Sequence, residues 1–237
     1  MTNTLPNKAK VMIGLVAVAS LCPLSFGVIN WHTPAWSQLG LLMIAAALTS
    51  RLKVKLPGMT STMSGNLPVI LLGITQLGLF ASLLVALTAA IAQSYASATK
   101  TKAVQFLFNT CTLMNASGLA YAVYHSHLFA AYGMAVSLAT ASAVYFLANT
   151  LPVAGIIGLT ENTNPFAMWH KVFLWSFPNY VIGAGLTAIV SLFSTVTGLA
   201  AVAALMVVLF GVYKSYKMFV SQTEQAIPKA FAMAAGH

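Results

Sequence analysis

Apolar runs of bilayer length follow one another along this chain with barely a charge inside them, and that pattern restricts the fold more than any motif. A helix needs about 20 mostly apolar residues to cross a hydrocarbon core. Lipid offers the backbone no hydrogen-bond partners, so only helices and closed barrels cross it. The period-two alternation of outer-membrane strands is absent, and stretches such as 199–212 are apolar on every side, which selects helices. Only 5% of the 237 residues are charged, whereas soluble domains carry roughly a quarter. The expectation is an all-α integral membrane protein, a bundle of about six to eight transmembrane or part-spanning helices.

Eleven Lys and Arg stand against two Asp and Glu, for a formal charge of +9. The bases fall in short clusters between apolar runs instead of along one face, which argues against nucleic acid as a partner. They read instead as cytoplasmic loop markers. On that basis 1–10 is a cytoplasmic tail, 11–222 one polytopic membrane domain and 223–237 a second short cytoplasmic tail. The location follows as a bacterial cytoplasmic membrane, with both termini inside. Lys8 and Lys10 before the first apolar run have the outline of a signal peptide. The run continues past Cys22-Pro23 without an Ala-x-Ala site, and 11–29 is taken as a retained first span.

Trp31 and Trp36 flank Pro34 in an interfacial turn. A short second span over 38–50 ends at Arg51, Lys53 and Lys55. The least helix-like stretch is 56–66, with Pro57, Gly58, Gly65 and a cluster of hydroxyl residues. It is expected to be irregular or extended and to lie beside a pocket or packed interior. The run 67–95 leads to Lys100 and Lys102, so the chain must cross an even number of times after Lys55. Either a helix pair broken near Gly78 or an inward-reaching 56–66 segment followed by one long helix satisfies that parity. Four spans follow, at 103–124, 128–159, 166–193 and 196–219, the last two separated by a turn at Ser194-Thr195. Pro152 and Pro178 should kink their helices.

Few residues carry chemistry. Cys22 and Cys111 fall within spans and read as apolar fillers, leaving neither a disulfide framework nor a zinc site. Among five histidines, His125 and His127 share an outer turn and His170 sits at an interface, none at metal-binding helical spacing. Glu161 and Glu224 are the only acids, too few for paired-carboxylate catalysis or a proton relay. Haem would want axial histidines at membrane depth. No enzyme activity, metal or cofactor is expected. A small-molecule site, if the chain has one, is assigned to Asn66, Asn109, Asn149, Trp175 and Asn179, with the region between the Pro152 and Pro178 helices preferred. The plainer reading of the span asparagines is interhelical hydrogen bonding, at about 1 kcal/mol each.

Several segments together resemble the multi-spanning sensor regions found ahead of GGDEF, HD-GYP or histidine-kinase domains in bacterial signalling proteins. They are 56–64 (Leu56-Pro57-Gly58 onward), Val104-Gln105-Phe106-Leu107-Phe108-Asn109, Tyr145-Phe146-Leu147-Ala148-Asn149-Thr150 and 169–180, closed by Tyr213-Lys214-Ser215-Tyr216. The Pro-Gly segment leading into a broken helix is more distantly similar to the substrate-binding subunits of energy-coupling-factor transporters. The chain ends at His237, about where such a sensor begins its linker and output domain. The resemblance therefore implies a non-enzymatic module that works with other membrane subunits or an output protein. A substrate-capture subunit for a vitamin-like molecule is the alternative. The charge pattern makes a testable statement about topology: a cysteine replacing Ser126 is labelled from outside by an impermeant reagent, one replacing Ser97 is protected, and the reverse pattern overturns the crossing count.

Overall fold

A computed structural model describes residues 5–31, 33–55, 62–95 and 102–234. Apart from two three-residue strands the described chain is helical. Helix α1 (Asn7–Ile29) begins inside the expected tail, just after Pro6, whose fixed φ suits a helix start. Helix α2 (Trp36–Thr49) leads into β1 (Lys53–Lys55), which pairs antiparallel with β2 (Thr62–Ser64) through Val54 opposite Met63. The Pro-Gly stretch is thus extended over its last residues, while 56–61 lie outside the described residues.

The run 67–95 is a broken pair: α3 (Leu67–Gln76) and α4 (Leu79–Tyr95) are separated by Leu77 and Gly78. Ser82 explains how so tight a reversal closes. Its hydroxyl donates to the carbonyls of Gly73 at 2.9 Å and Gly78 at 3.0 Å, both near the break. α3 is the centre of the molecule. Every residue from Leu67 to Ile74 is buried, with α2, α4, α5 (Ala103–Tyr124) and α9 (Phe177–Ala234) packed around it.

After α5 come a short helix α6 (His127–Ala130) and α7 (Met134–Glu161). The expected single run 128–159 is interrupted at Gly133, whose φ of +86° only glycine takes without strain. Asn162 ends α7 in the left-handed conformation. Asn164 then accepts hydrogen bonds from the amides of Phe166 and Ala167 and starts α8 (Pro165–Met168). A π turn at Trp169–Phe173 and a 3-10 turn at Leu174–Ser176 lead into α9. Pro178 accounts for the tightening: it has no N–H for the Leu174 carbonyl, which accepts from Phe177 instead.

The expected turn at Ser194-Thr195 is absent. Helix continues through both residues, and α9 runs unbroken for 58 residues, about 87 Å by its rise. Neither residue removes a backbone donor, and hydroxyl residues can bond back to the preceding turn without ending a helix. Among the described residues two helices, α1 and α7, are long and apolar enough to cross a membrane. α2, α3, α4 and the Phe177–Leu192 part of α9 are shorter apolar helices.

Helix contacts fix which ends meet. Leu24 of α1, Leu79 of α4 and Tyr121 of α5 pack together, Trp31 meets Phe80 edge to face at 4.9 Å, and Gln38 donates to Gln76 at 2.6 Å. Away from that cluster, Lys8 is about 24 Å down α1 and Lys102 about 28 Å down α5. At the same far end Lys53 donates to the Gln93 carbonyl at 3.0 Å, and its partial burial lowers its pKa from the usual lysine value. Lys8, Lys10, Arg51, Lys53 and Lys102 therefore share one end of the bundle, and Trp31, Phe80 and Tyr121 the other.

Close approach of α1 and α5 supports this arrangement. A Cβ on Gly118 would lie 2.5 Å from the Cβ of Pro23, whose ring cannot swing away. Gly118→Val should cost about 1–3 kcal/mol, read as a lowered unfolding midpoint in detergent. Gly14→Ala, at a position with open space, should leave the midpoint unchanged. Equal midpoints for the two variants would disprove the α1–α5 packing.

Candidate functional site

The richest polar arrangement within the bundle joins α7 to α9. Ser142 donates to the Tyr180 carbonyl at 2.9 Å, and Asn149 donates to the Tyr180 hydroxyl at 3.2 Å. Ser142 and Asn149 are seven residues apart, two helical turns, and so reach the same partner from one face of α7. Tyr145 and Tyr180 are buried with ring centroids 6.2 Å apart. The Ser117 hydroxyl of α5 faces the Tyr145 phenol without completing a hydrogen bond. Phe146 packs edge to face on Tyr180 and Phe177, at 4.9 and 5.2 Å. Trp169 closes the lower side, its indole N–H donating to Thr150 Oγ1 at 2.9 Å.

Beside this network runs a groove of about 300 Å³ between the two helices. Its walls are small and apolar, Ala135, Ala139 and Ala143 on α7 against Val181, Gly185 and Ala188 on α9, with Phe177 at one end. Four-residue spacing puts the three alanines on one face of α7. Such a groove can receive an apolar side chain, acyl chain or small molecule, but it offers no charge and almost no hydrogen bond to orient one.

The five residues assigned from sequence do not converge. Asn149 lies in the network, and the preferred region between the Pro152 and Pro178 helices holds the groove. Asn66 is buried at the start of α3, where its amide donates to Ser50 Oγ at 3.2 Å and ties the hairpin's exit to the end of α2. Asn109 is exposed on α5, whereas Thr112, three residues on, is buried. Asn179 is exposed on the first turn of α9. Trp175 belongs to the 3-10 turn before α9, and its side chain lies outside the described residues.

Tyr145, Tyr180 and Ser142 were not among the assigned residues. Ser142, Tyr145 and Asn149, at three- and four-residue steps on one face of a helix, were the available signal, but single tyrosines in apolar helices are ordinary packing groups. Another asparagine acts far from the groove: Asn115 donates to the Val16 carbonyl at 3.0 Å and joins α5 to α1. Among the described residues no three His, Cys, Asp or Glu side chains gather as a metal would require. Cys22 is exposed and Cys111 buried, both free. Comparison with protein-family models, curated proteins and solved structures finds no match for this chain.

The hydrogen bonds of the network predict coupled energetics. Asn149→Leu and Tyr180→Phe each remove the same contact and should each cost about 1 kcal/mol in detergent unfolding. The double variant should cost little more than either alone. Fully additive losses would show that the two side chains do not bond to each other.

Proposed function

We propose that this chain is a polytopic helical module of a bacterial cytoplasmic membrane, without enzyme activity of its own, acting as a sensor-like or accessory subunit of a membrane protein complex. The observation that carries the membrane part is the surface of α1. Val11, Leu15 and Val18 are 62%, 65% and 66% exposed, and they continue into Leu21, Phe26, Val28 and Ile29, also exposed. A water-facing patch of that extent is rare on soluble monomers, whereas lipid is its natural surroundings. Lys8, Lys10, Arg51, Lys53 and Lys102 share one end of the bundle and Trp31 lies at the other, which supports the same reading, since Lys and Arg concentrate in cytoplasmic segments and Trp at interfaces.

The accessory role is supported by what the polar side chains do. Ser142, Asn149, Asn66 and Asn115 spend their hydrogen bonds on other helices, which is work of assembly. The alternative, a substrate-capture subunit for a vitamin-like molecule, draws on the groove between α7 and α9. Its apolar walls restrict any such cargo to a largely apolar compound.

In this proposal the basic end and the amino terminus face the cytoplasm. The expectation of a cytoplasmic carboxyl terminus counts two crossings after Pro165, whereas an unbroken α9 makes one. A cysteine replacing Ala230 reads the difference: it is labelled from the cytoplasmic face if the chain doubles back within α9, and from the opposite face if α9 crosses once.

The module itself is tested by purification in mild detergent with mass spectrometry of everything retained. An accessory subunit stays in the membrane fraction through alkaline washing and co-purifies with other membrane proteins in fixed stoichiometry. A capture subunit, purified alone, carries one small molecule per chain. Release from membranes by alkaline washing would sink both readings.

A further inference from the structure

The bases at one end of the bundle are not scattered over a polar surface. Each of two clusters stands at the head of an exposed apolar strip. On α1, Lys8, Val11, Leu15 and Val18 recur at three- and four-residue steps and so share one helical face, and all four are exposed. On α2, Ile44 and Leu48 are 62% and 49% exposed, and Arg51, exposed in the following turn, comes at the next helical step. The Arg51 amide bonds to the Leu48 carbonyl, which keeps that turn in line with the helix. The chain's two acids are far too few to pair with its eleven bases.

From these strips we infer that the basic end binds anionic phospholipids, with the phosphate at Lys8 or at Arg51 and the acyl chain along the apolar strip beneath, while Lys10, on another face of α1, adds positive charge nearby. The inference rests on the membrane reading above and adds a ligand to it. Only an amphiphile fits both parts. A soluble polyanion such as RNA, or an acidic peptide, would satisfy the bases and leave the adjoining apolar strip uncovered. A zwitterionic lipid would cover the strip and leave the charge only partly matched. Arginine suits the α2 position because its planar fork can hold two phosphate oxygens at once. Lys53, half-buried and donating to the Gln93 carbonyl, is already engaged within the fold.

The test uses the full chain, purified in mild detergent and stripped of lipid. It is incubated with phosphatidylglycerol or phosphatidylcholine of identical acyl chains, and the retained lipids are counted by native mass spectrometry. Phosphatidylglycerol should be retained over phosphatidylcholine, with the preference shrinking in high salt. Arg51→Gln, and separately Lys8→Gln with Lys10→Gln, should lower phosphatidylglycerol retention by about fivefold per base removed without changing phosphatidylcholine retention. Arg51→Lys should keep most of the preference, as a charge that the phosphate still meets. Equal retention of the two lipids by the parent chain, or undiminished phosphatidylglycerol retention in both neutralised variants, overturns the inference while leaving a membrane-embedded bundle. Displacement of phosphatidylglycerol by an RNA oligonucleotide would overturn it in favour of a polyanion surface. A chain that stays dissolved without detergent and retains neither lipid would overturn the membrane reading with it.

Discussion

The bundle is arranged around the enclosure of α3, whose residues from Leu67 to Ile74 are all buried. A ten-residue helix is too short to be stable alone, and this one gains its stability from neighbours on every side: α2 and α4 before and after it in the chain, α5 and α9 from further along. Enclosure demands that its ends be served as well as its flanks. At the carboxyl end Ser82 bonds to the Gly73 carbonyl; at the amino end the Asn66 carbonyl takes the Ile70 amide while the Asn66 side chain holds Ser50. Gly183 allows α9 to approach so closely that a Cβ there would meet Leu67 at 2.8 Å. Thr187 of α9 then donates to the Pro68 carbonyl at 3.2 Å, and that carbonyl lies in the first turn of α3.

The outer helices use a different economy. α1 buries only Ala9, Ser20 and Gly27 among its residues, and beside the Leu24 side chain its close contacts include Gly27 to Phe80, Pro23 to Gly118, and the Asn115 side-chain amide to the Val16 carbonyl. In the proposed membrane setting apolar side chains gain nothing by leaving lipid, and close packing and single hydrogen bonds are what remains to hold helices together. The α7–α9 interface combines both modes, a tyrosine-centred hydrogen-bond network beside a strip of alanines that leaves space unfilled.

Much of this was legible in the sequence. Charge scarcity and apolar run length gave helices; Gln76-Leu77-Gly78 marked the α3–α4 break, and Pro57, Gly58 and the hydroxyl cluster marked a non-helical segment whose described end is strand β2. Gly133 and the Pro178 approach were harder, because an apolar run does not reveal where its backbone tightens or turns left-handed. Ser194-Thr195 misled for a related reason: hydroxyl residues are common in turns yet tolerated within helices. The candidate residues suffered most. Asn109 and Thr112 share a helical face by spacing, but which face meets the core depends on neighbours that periodicity does not supply, and α5 turns Thr112 inward and Asn109 outward. Lys8, Lys10, Arg51, Lys53 and Lys102, by contrast, end up together because the directions of α1, α2 and α5 bring them there.

The length of α9 has a mechanical consequence. Its grip on the bundle does not stop at Tyr180: Gly183 and Thr187 meet α3, and Val202, Leu205 and Leu209 are buried further along. About 38 Å of helix lies beyond Leu209. A tilt of about 10° at that point would displace the far tip by roughly 7 Å, so a small adjustment where the helix leaves its neighbours is magnified at a distance, much as a pointer enlarges the movement of its pivot.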